Sequence, residues 1–222
     1  MAGVVVSKNK QKHQQVQQGG RTLGSPPLPM ASSPVTLKLD LGCAQNTREG
    51  FEGVDIVAAP NVKHVVNLFR YPWPWADNSV EQLNASHFIE HIPDIEVDDT
   101  GKQTDFGEGQ DALFRFFDEC YRILIPDGWV FLQWPSLRSD RAFQDPTHRR
   151  FIPEATISYL DRDWRVAMKL DHYNVHCHFK AFDVGHTYDL SIHSRHDQVR
   201  ERYVRHYWNG TIDYSAKLKA IK

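Results

Sequence analysis

Residues 35–46 read VTLKLDLGCAQN, and the fold class follows from them. Val35, Leu37, Leu39 and Leu41 alternate with Thr36, Lys38 and Asp40, the period of a β-strand. The strand runs into Gly42, Cys43, Ala44 and Asn46, small or polar residues that leave a backbone open to close approach by a ligand. A second short strand, 53–57 (GVDIV), follows after a link too short for a full crossover helix, so one or two helical turns at most are expected there. Residues 62–67 (VKHVVN) and 80–85 (VEQLNA) read as third and fourth strands, separated by the turn-forming loop PWPWADNS at 72–79.

Further along, 93–110 is acidic and glycine-rich, the composition of a mobile loop or lid. The clearest helix is 111–124. Asp111 can cap it, and Leu113, Phe116, Phe117, Cys120, Tyr121 and Leu124 share one face. Pro126, Asp127 and Gly128 turn the chain into a fifth strand, 129–133. Residues 177–192 read as one or two strands and 196–208 as a helix with Val199, Tyr203 and Tyr207 inward. Asn209 and Gly210 end that helix before a final strand at 211–221. Alternating strands and helices predict a three-layer α/β fold with a Rossmann-like, mostly parallel sheet, shortened first crossover helices and an antiparallel last strand pair.

Composition sets bounds on the rest. The chain has 222 residues with 41% hydrophobic and 12% aromatic side chains, enough for one domain with a sizeable core. No apolar run approaches the ~20 residues of a membrane span. A net charge of −2 gives no global attraction to nucleic acid. The cysteines Cys43, Cys120 and Cys177 are odd in number and widely spaced, which fits a reducing, cytoplasmic compartment rather than a disulfide framework. Residues 1–34 contain no acidic side chain and are rich in Gln, Ser, Gly and Pro, with Lys8, Lys10, Lys12 and Arg21 making them basic. Such a segment is expected to be a disordered tail, with the domain spanning 35–222 and Met30 an alternative start.

Taken in order, Asp40-x-Gly42-x-Ala44, Gly53-x-Asp55, the PWPWADNS loop, SHFIEH at 86–91 and RILIPDGWVFL at 122–132 resemble the class I methyltransferases that use S-adenosylmethionine (SAM). The similarity runs over roughly 35–151. It departs from the family pattern at Ala44 and Asn46, where glycines are common, and in the abbreviated first helix. The resemblance implies SAM as cofactor and an enzyme that transfers its methyl group to an acceptor. It places Asp40, Gly42, Cys43, Ala44 and Asn46 against the methionine portion. Asp55 and Ile56 fall at the ribose, Asn67 and Leu68 at adenine, and Ser86 and His87 at the boundary with the acceptor. A carboxylate at the carboxyl end of a strand, as at Asp55, can accept both ribose hydroxyl hydrogens. Trp73 and Trp75 either wall the adenine pocket or belong to the core.

For the acceptor side, the polar stretch 136–150 follows the fifth strand at the sheet's carboxyl edge. His148 is the candidate base, with Asp145 as its orienter. Arg141, Gln144 and Arg149, with Arg150 beside them, are candidates for holding an anionic acceptor. The Asn/Asp/Ser-Pro-Pro-Tyr/Phe string of DNA amino-methyltransferases is absent, since Ala85-Ser-His-Phe88 stands in its place. Small molecules, sugars and macromolecular side groups remain open as acceptors.

Rival readings come from other motifs. His87-Phe-Ile-Glu90-His91 is an HxxEH string, the inverted zinc-peptidase signature, which needs both histidines on one helix face and a third ligand downstream. Ile92-Pro93 leaves room for one helical turn at most. A dinucleotide oxidoreductase would need G-x-G-x-x-G, of which only Gly42 is present. A non-catalytic SAM-binding module also fits. The histidines at 172, 176, 178, 186, 193 and 196 lack paired cysteines at ligand spacing, and no metal is expected.

Overall fold

The computed structural model describes residues 37–222. The tail at 1–34, with Met30, lies outside the described residues, as do Val35 and Thr36. Nine strands and five α-helices follow in the order β1 (Leu37–Leu41), β2 (Glu52–Asp55), β3 (Val62–Val65), β4 (Val80–Ser86), β5 (Glu96–Val97), β6 (Gln110–Asp111), α1 (Ala112–Ile123), β7 (Leu124–Pro135), α2 (Arg141–Gln144), α3 (Arg162–Ala167), β8 (Phe179–Tyr188), α4 (Leu190–His193), α5 (Asp197–His206) and β9 (Thr211–Ala220). Seven strands form one sheet in the order β3-β2-β1-β4-β7-β9-β8. β1 to β4 and β7 are mutually parallel, and β9 runs antiparallel to both β7 and β8. This is the mostly parallel Rossmann-like sheet with an antiparallel last pair that the sequence pattern predicts.

The shortening of the first crossovers is complete. Residues 42–51 and 56–61 are turns and irregular chain with no helix, because β2 begins opposite Leu39 and the chain has little height to regain. The two faces of the sheet consequently differ. One carries Leu39, Leu41, Leu83, Ala85, Val130, Leu132, Trp134, Ala216 and Leu218, all buried. The other presents Lys38, Gln82, Asn84, Phe131, Gln133, Lys217 and Lys219 in register, half-buried apart from Asn84.

α1 covers the apolar face. Its cap is the expected one, with the Asp111 carboxylate accepting from the Leu113 amide at 2.9 Å. Phe116 meets Trp73, and Phe117 and Tyr121 meet Phe179 of β8. Trp73 and Trp75 are core: Trp73 Nε1 donates to the Leu68 carbonyl, and neither ring lines a ligand cavity. Two acids on α1 are buried, which the apolar stripe did not foretell. Glu119 accepts from the Trp73 amide (2.6 Å) and the Arg122 guanidinium. Asp118 accepts from the amides of His176 and Cys177, from Gln110 Nε2 and from His176 Nδ1. These bonds splice the irregular 174–177 segment to α1 just before β8.

Two expectations change. Residues 93–110 are not a loose lid. β5 and β6 pair there as an antiparallel hairpin, and Val97 is buried against the core because α1 needs a partner beside Ala112 and Leu113. α5 buries no residue, with Val199 and Tyr207 exposed and Tyr203 and Val204 its only half-buried apolar side chains, so its placement rests on its termini rather than on an apolar face.

Removing the Asp118 carboxylate leaves the buried Cys177 amide without its acceptor and takes one partner each from the His176 amide, the His176 ring and Gln110 Nε2, which keeps the Asn174 carbonyl. Asp118→Ala is expected to lower unfolding free energy by roughly 3 kcal/mol, against about 1 kcal/mol for loss of the cap in Asp111→Ala. Urea titration followed by circular dichroism measures both.

Candidate functional site

The strand order reverses between β1 and β4, and ligands of open α/β sheets bind beyond the carboxyl ends of the strands at such a point. Two adjoining cavities open there. One, of about 290 Å³, is lined by Gly42, Ala44, Asp55, Ile56, Val66, Asn67, Leu68, Phe69, His87, Phe88 and His91. The second, of about 530 Å³, is lined by Asp40, Gly42, Cys43, Ala44, Asn46, Arg48, Asn84, Ser86, His87, Phe131 and Gln133. Gly42, Ala44 and His87 belong to both. Every residue that the sequence assigned to a cofactor thus lies on one wall or the other, delivered by four successive strand ends.

The turn at 42–51 is held by side chains in place of a helix. The amides of Gly42 and Cys43 donate to the Val54 carbonyl at 2.8 and 3.2 Å. Asp55 Oδ2 accepts from the Ala44 amide (2.9 Å) and Oδ1 from the Val57 amide (3.0 Å). Asn61 bonds the Ala44 carbonyl and the Thr47 hydroxyl. Asp40, buried at the end of β1, accepts from the Arg48 amide and from Asn84 Nδ2, each at 2.6 Å. Arg48 Nη1 donates to Asn84 Oδ1, and its guanidinium lies over the rings of Phe51 and Phe131. Asn67 closes a tight turn by accepting from the Phe69 amide, and its amide nitrogen makes no hydrogen bond among the described residues.

Glycine at 42 serves an unexpected neighbour. Its φ is +68° and a Cβ there would collide with the Phe88 ring, so Gly42 makes room for the aromatic that floors the first cavity. Ala44 also sits at positive φ (47°), which explains the glycine common in the family pattern. His87 is a third left-handed residue (φ 53°), and its amide donates to the Gln133 carbonyl at the end of β7.

The acceptor-side residues assemble differently from the sequence expectation. His148 and Asp145 do not form a base–orienter pair. His148 Nδ1 lies 2.9 Å from the Ala142 carbonyl, its Nε2 is 4.0 Å from Asp145 Oδ2, and Asp145 Oδ1 accepts from the Thr147 amide and hydroxyl. The hydroxyl and amide of Thr147 hold the Asp145 carboxyl below its ordinary range. Arg141 pairs with buried Asp213 (3.0 Å), and Arg150 with Asp111 and the Pro93 carbonyl. Gln144 and Arg149 are exposed and line neither cavity, so the three arginines do not converge on one anion.

What converges is a cluster around Glu90. His87 Nδ1 is 3.3 Å from Glu90 Oε1, and His87 Nε2 is 3.8 Å from Asp213 Oδ2. His148 Nε2 is 4.0 Å from Glu90 Oε1, and the His91 and His148 rings meet edge to face at 4.8 Å. The HxxEH string does not form a peptidase helix: Ile89–His91 is a single 3-10 turn, and His87 precedes it in a left-handed conformation. Among the histidines at 172–196, His176 and His186 pair with Asp118 and Glu154, and His178 with Asp161. Sequence reasoning missed Arg48, Asn84, Gln133 and Phe88 as lining residues. Asn84 and Gln133 are brought there by the β1–β4–β7 register, Arg48 by the 42–51 turn and Phe88 by the chain just past β4, and no local motif announces any of them.

No family model matches the chain, and no curated protein does. Solved structures do resemble it. A SAM-dependent methyltransferase from Archaeoglobus fulgidus is 19% identical, with 83% of this chain and 86% of that chain covered and a TM-score of 0.47. One from Mesorhizobium loti is 12% identical over 85% and 93%, with a TM-score of 0.46. The 1,6-didemethyltoxoflavin-N1-methyltransferase of Burkholderia thailandensis, solved with S-adenosylhomocysteine, is 12% identical over 84% and 71%, with a TM-score of 0.47.

Two sets of measurements test the geometry. Gly42→Ala is expected to cost about 2 kcal/mol or more, from strain plus displacement of Phe88, whereas Ala44→Gly does not lower stability; thermal unfolding compares them. Asp145, with its titration depressed in the folded state, contributes stability that is present above the ordinary carboxyl range and lost as pH falls through the lowered value. Thr147→Val should move the Asp145 carboxyl titration upward toward that ordinary range, read by carbon NMR.

The sheet order, with the last strand β9 running antiparallel between β7 and β8, gives the chain a Rossmann-like α/β fold.

Proposed function

We propose that the protein binds SAM across the two adjoining cavities and transfers its methyl group to an acceptor that enters beside His87. The observation that carries this reading is the match between cavity chemistry and the two ends of the cofactor. The first cavity is mostly apolar, walled by Ile56, Val66, Leu68, Phe69 and Phe88, with the Asp55 carboxylate and the Asn67 amide as its polar handles. That set suits a nucleoside: the carboxylate takes ribose hydroxyls and the free amide an adenine edge. The second cavity is ringed by Asp40, Asn46, Arg48, Asn84, Ser86 and Gln133. An amino acid's ammonium fits Asp40 and its carboxylate fits Arg48.

Where the cavities meet, at Gly42, Ala44 and His87, the sulfonium and its methyl would lie. Methyl transfer from a sulfonium is an in-line displacement of an already activated group. The acceptor's lone pair forms the new bond to the methyl carbon while the C–S bond electrons stay on sulfur, leaving S-adenosylhomocysteine. The chain's task is to align the acceptor and exclude water. His87, held between Glu90 and Asp213, is placed to receive the acceptor's proton.

Calorimetry with SAM tests the binding. The wild-type chain should bind one equivalent, and Asp55→Ala should weaken binding at least about tenfold, since it removes both the ribose contact and the Ala44 strut. Absence of SAM binding by the wild type would overturn the proposal. Incubation with methyl-labelled SAM and fractionated cell extract then separates a transferase from a binding module: label must move to an acceptor.

A further inference from the structure

We infer that Glu90, His91 and His148 form a binding site for one divalent transition-metal ion at the edge of the nucleoside cavity. Their ligand atoms lie within 4.8 Å of one another, and His91 also lines that cavity. Two independent observations point to a cation there. The first is an orphaned charge: Glu90 is only 2% exposed, and its Oε2 has no hydrogen-bond partner among the described residues. A buried carboxylate oxygen without a donor is costly and calls for a positive group.

The second is the pair of tautomers that the surroundings impose. His148 Nδ1 faces the Ala142 carbonyl, which can only accept, so Nδ1 carries a proton and the neutral ring has its lone pair on Nε2. The Thr147 hydroxyl gives its hydrogen to Asp145 at 2.7 Å, so its oxygen accepts from His91 Nδ1 at 3.1 Å. In the neutral ring the lone pair of His91 is then on Nε2 as well. Each ring is oriented from behind by a backbone or hydroxyl acceptor, the outer-shell arrangement that fixes metal-ligating histidines. Two imidazole lone pairs and the Glu90 carboxylate face one another; of the carboxylate oxygens, Oε1 also faces His87 Nδ1 at 3.3 Å, and Oε2 has no donor among the described residues.

The backbone presets the distance. The amides of Arg149 and Arg150 both donate to the Glu90 carbonyl, at 2.8 and 3.0 Å, locking the segment after His148 onto the Glu90 turn. The 4.0 Å between His148 Nε2 and Glu90 Oε1 needs only slight contraction to the roughly 3.4 Å that two ligands about 2.1 Å from a tetrahedral ion would have. Two imidazoles and one carboxylate suit zinc, manganese, cobalt or iron and leave positions open. The second acid–histidine cluster, Asp161, Asp163 and His178, differs because Lys180 Nζ already sits between its carboxylates at 2.8 and 2.7 Å.

The open positions would take an oxygen of the methyl acceptor. That role rests on the methyl-transfer reading, whereas the site itself does not.

The test uses the full chain, stripped with chelator and titrated separately with zinc, manganese and cobalt by calorimetry, with the visible spectrum of the cobalt form as a second readout. One equivalent should bind with at least one of the three. His91→Ala and His148→Ala should each weaken it tenfold or more and change the cobalt spectrum, while Asp163→Asn should not. Glu90→Gln keeps the side chain's volume, and circular dichroism establishes that each variant is folded. No binding of any of the three ions, or binding indifferent to His91 and His148, overturns the inference and leaves a protonated histidine or an ordered water against Glu90. SAM titration of the metal-free chain is read separately, so loss of the cofactor reading and loss of the metal site are distinguishable.

Discussion

The pairing of β1 with β2 constrains everything around the site. Parallel neighbours must be entered from the same end, so the connecting chain has to regain the height of the strand it has just left. In most α/β units a helix does this. Here β2 is four residues long and starts opposite Leu39, so the link climbs barely two residues and crosses one strand width of about 4.8 Å. A turn suffices, and a helix would have nowhere to go.

That economy changes what holds the site. Without a helix there is no aligned row of free amides and no apolar face to press the link onto the sheet. The struts are polar side chains: Asp55 on Ala44, Asp40 on Arg48, Asn61 on Thr47. The same carboxylates face the cavities, so structural and ligand-facing duties fall on the same atoms. A carboxylate oxygen has more than one lone pair, and each of these accepts a single bond in the structure, which leaves capacity on the ligand side. The polar face of the sheet, carrying Asn84, Phe131 and Gln133, becomes the floor of the second cavity because no helix lies over it.

Much of this was legible in the sequence because it rested on local pattern. Strand alternation, the Asp111 cap and the order of Asp40, Gly42, Asp55, Asn67 and His87 are short-range signals, and all of them survive folding. What was not legible depends on contacts between distant residues. Asp118 and Glu119 look like solvent-facing positions of α1 until 174–177 and the Trp73 loop come to meet them. The pairing of Asp145 with His148 was inferred from proximity in sequence, but a carbonyl six residues upstream of His148 won the ring nitrogen. The grouping of His148 with Glu90 and His91 spans 58 residues of chain from Glu90, and nothing in either local motif announces the other. The HxxEH string drew attention to the right acid and one right histidine for a peptidase geometry the chain does not adopt.

The turn at 42–51 has a thermodynamic consequence of its own. Ala44, Gln45, Asn46, Arg48, Glu49 and Gly50 are exposed, and the segment contributes almost no buried apolar surface. Segments anchored by a few polar bonds open at free energies far below that of the whole domain. The sheet beneath, with its strands zipped across β1, β4 and β7, opens only with global unfolding. Amide exchange in this protein should therefore be graded over a few ångströms, fast along the rim of the cavities and slow on their floor. A ligand that spans both cavities would spend part of its binding energy stilling the rim, giving association an enthalpy larger than its affinity suggests and an opposing entropy.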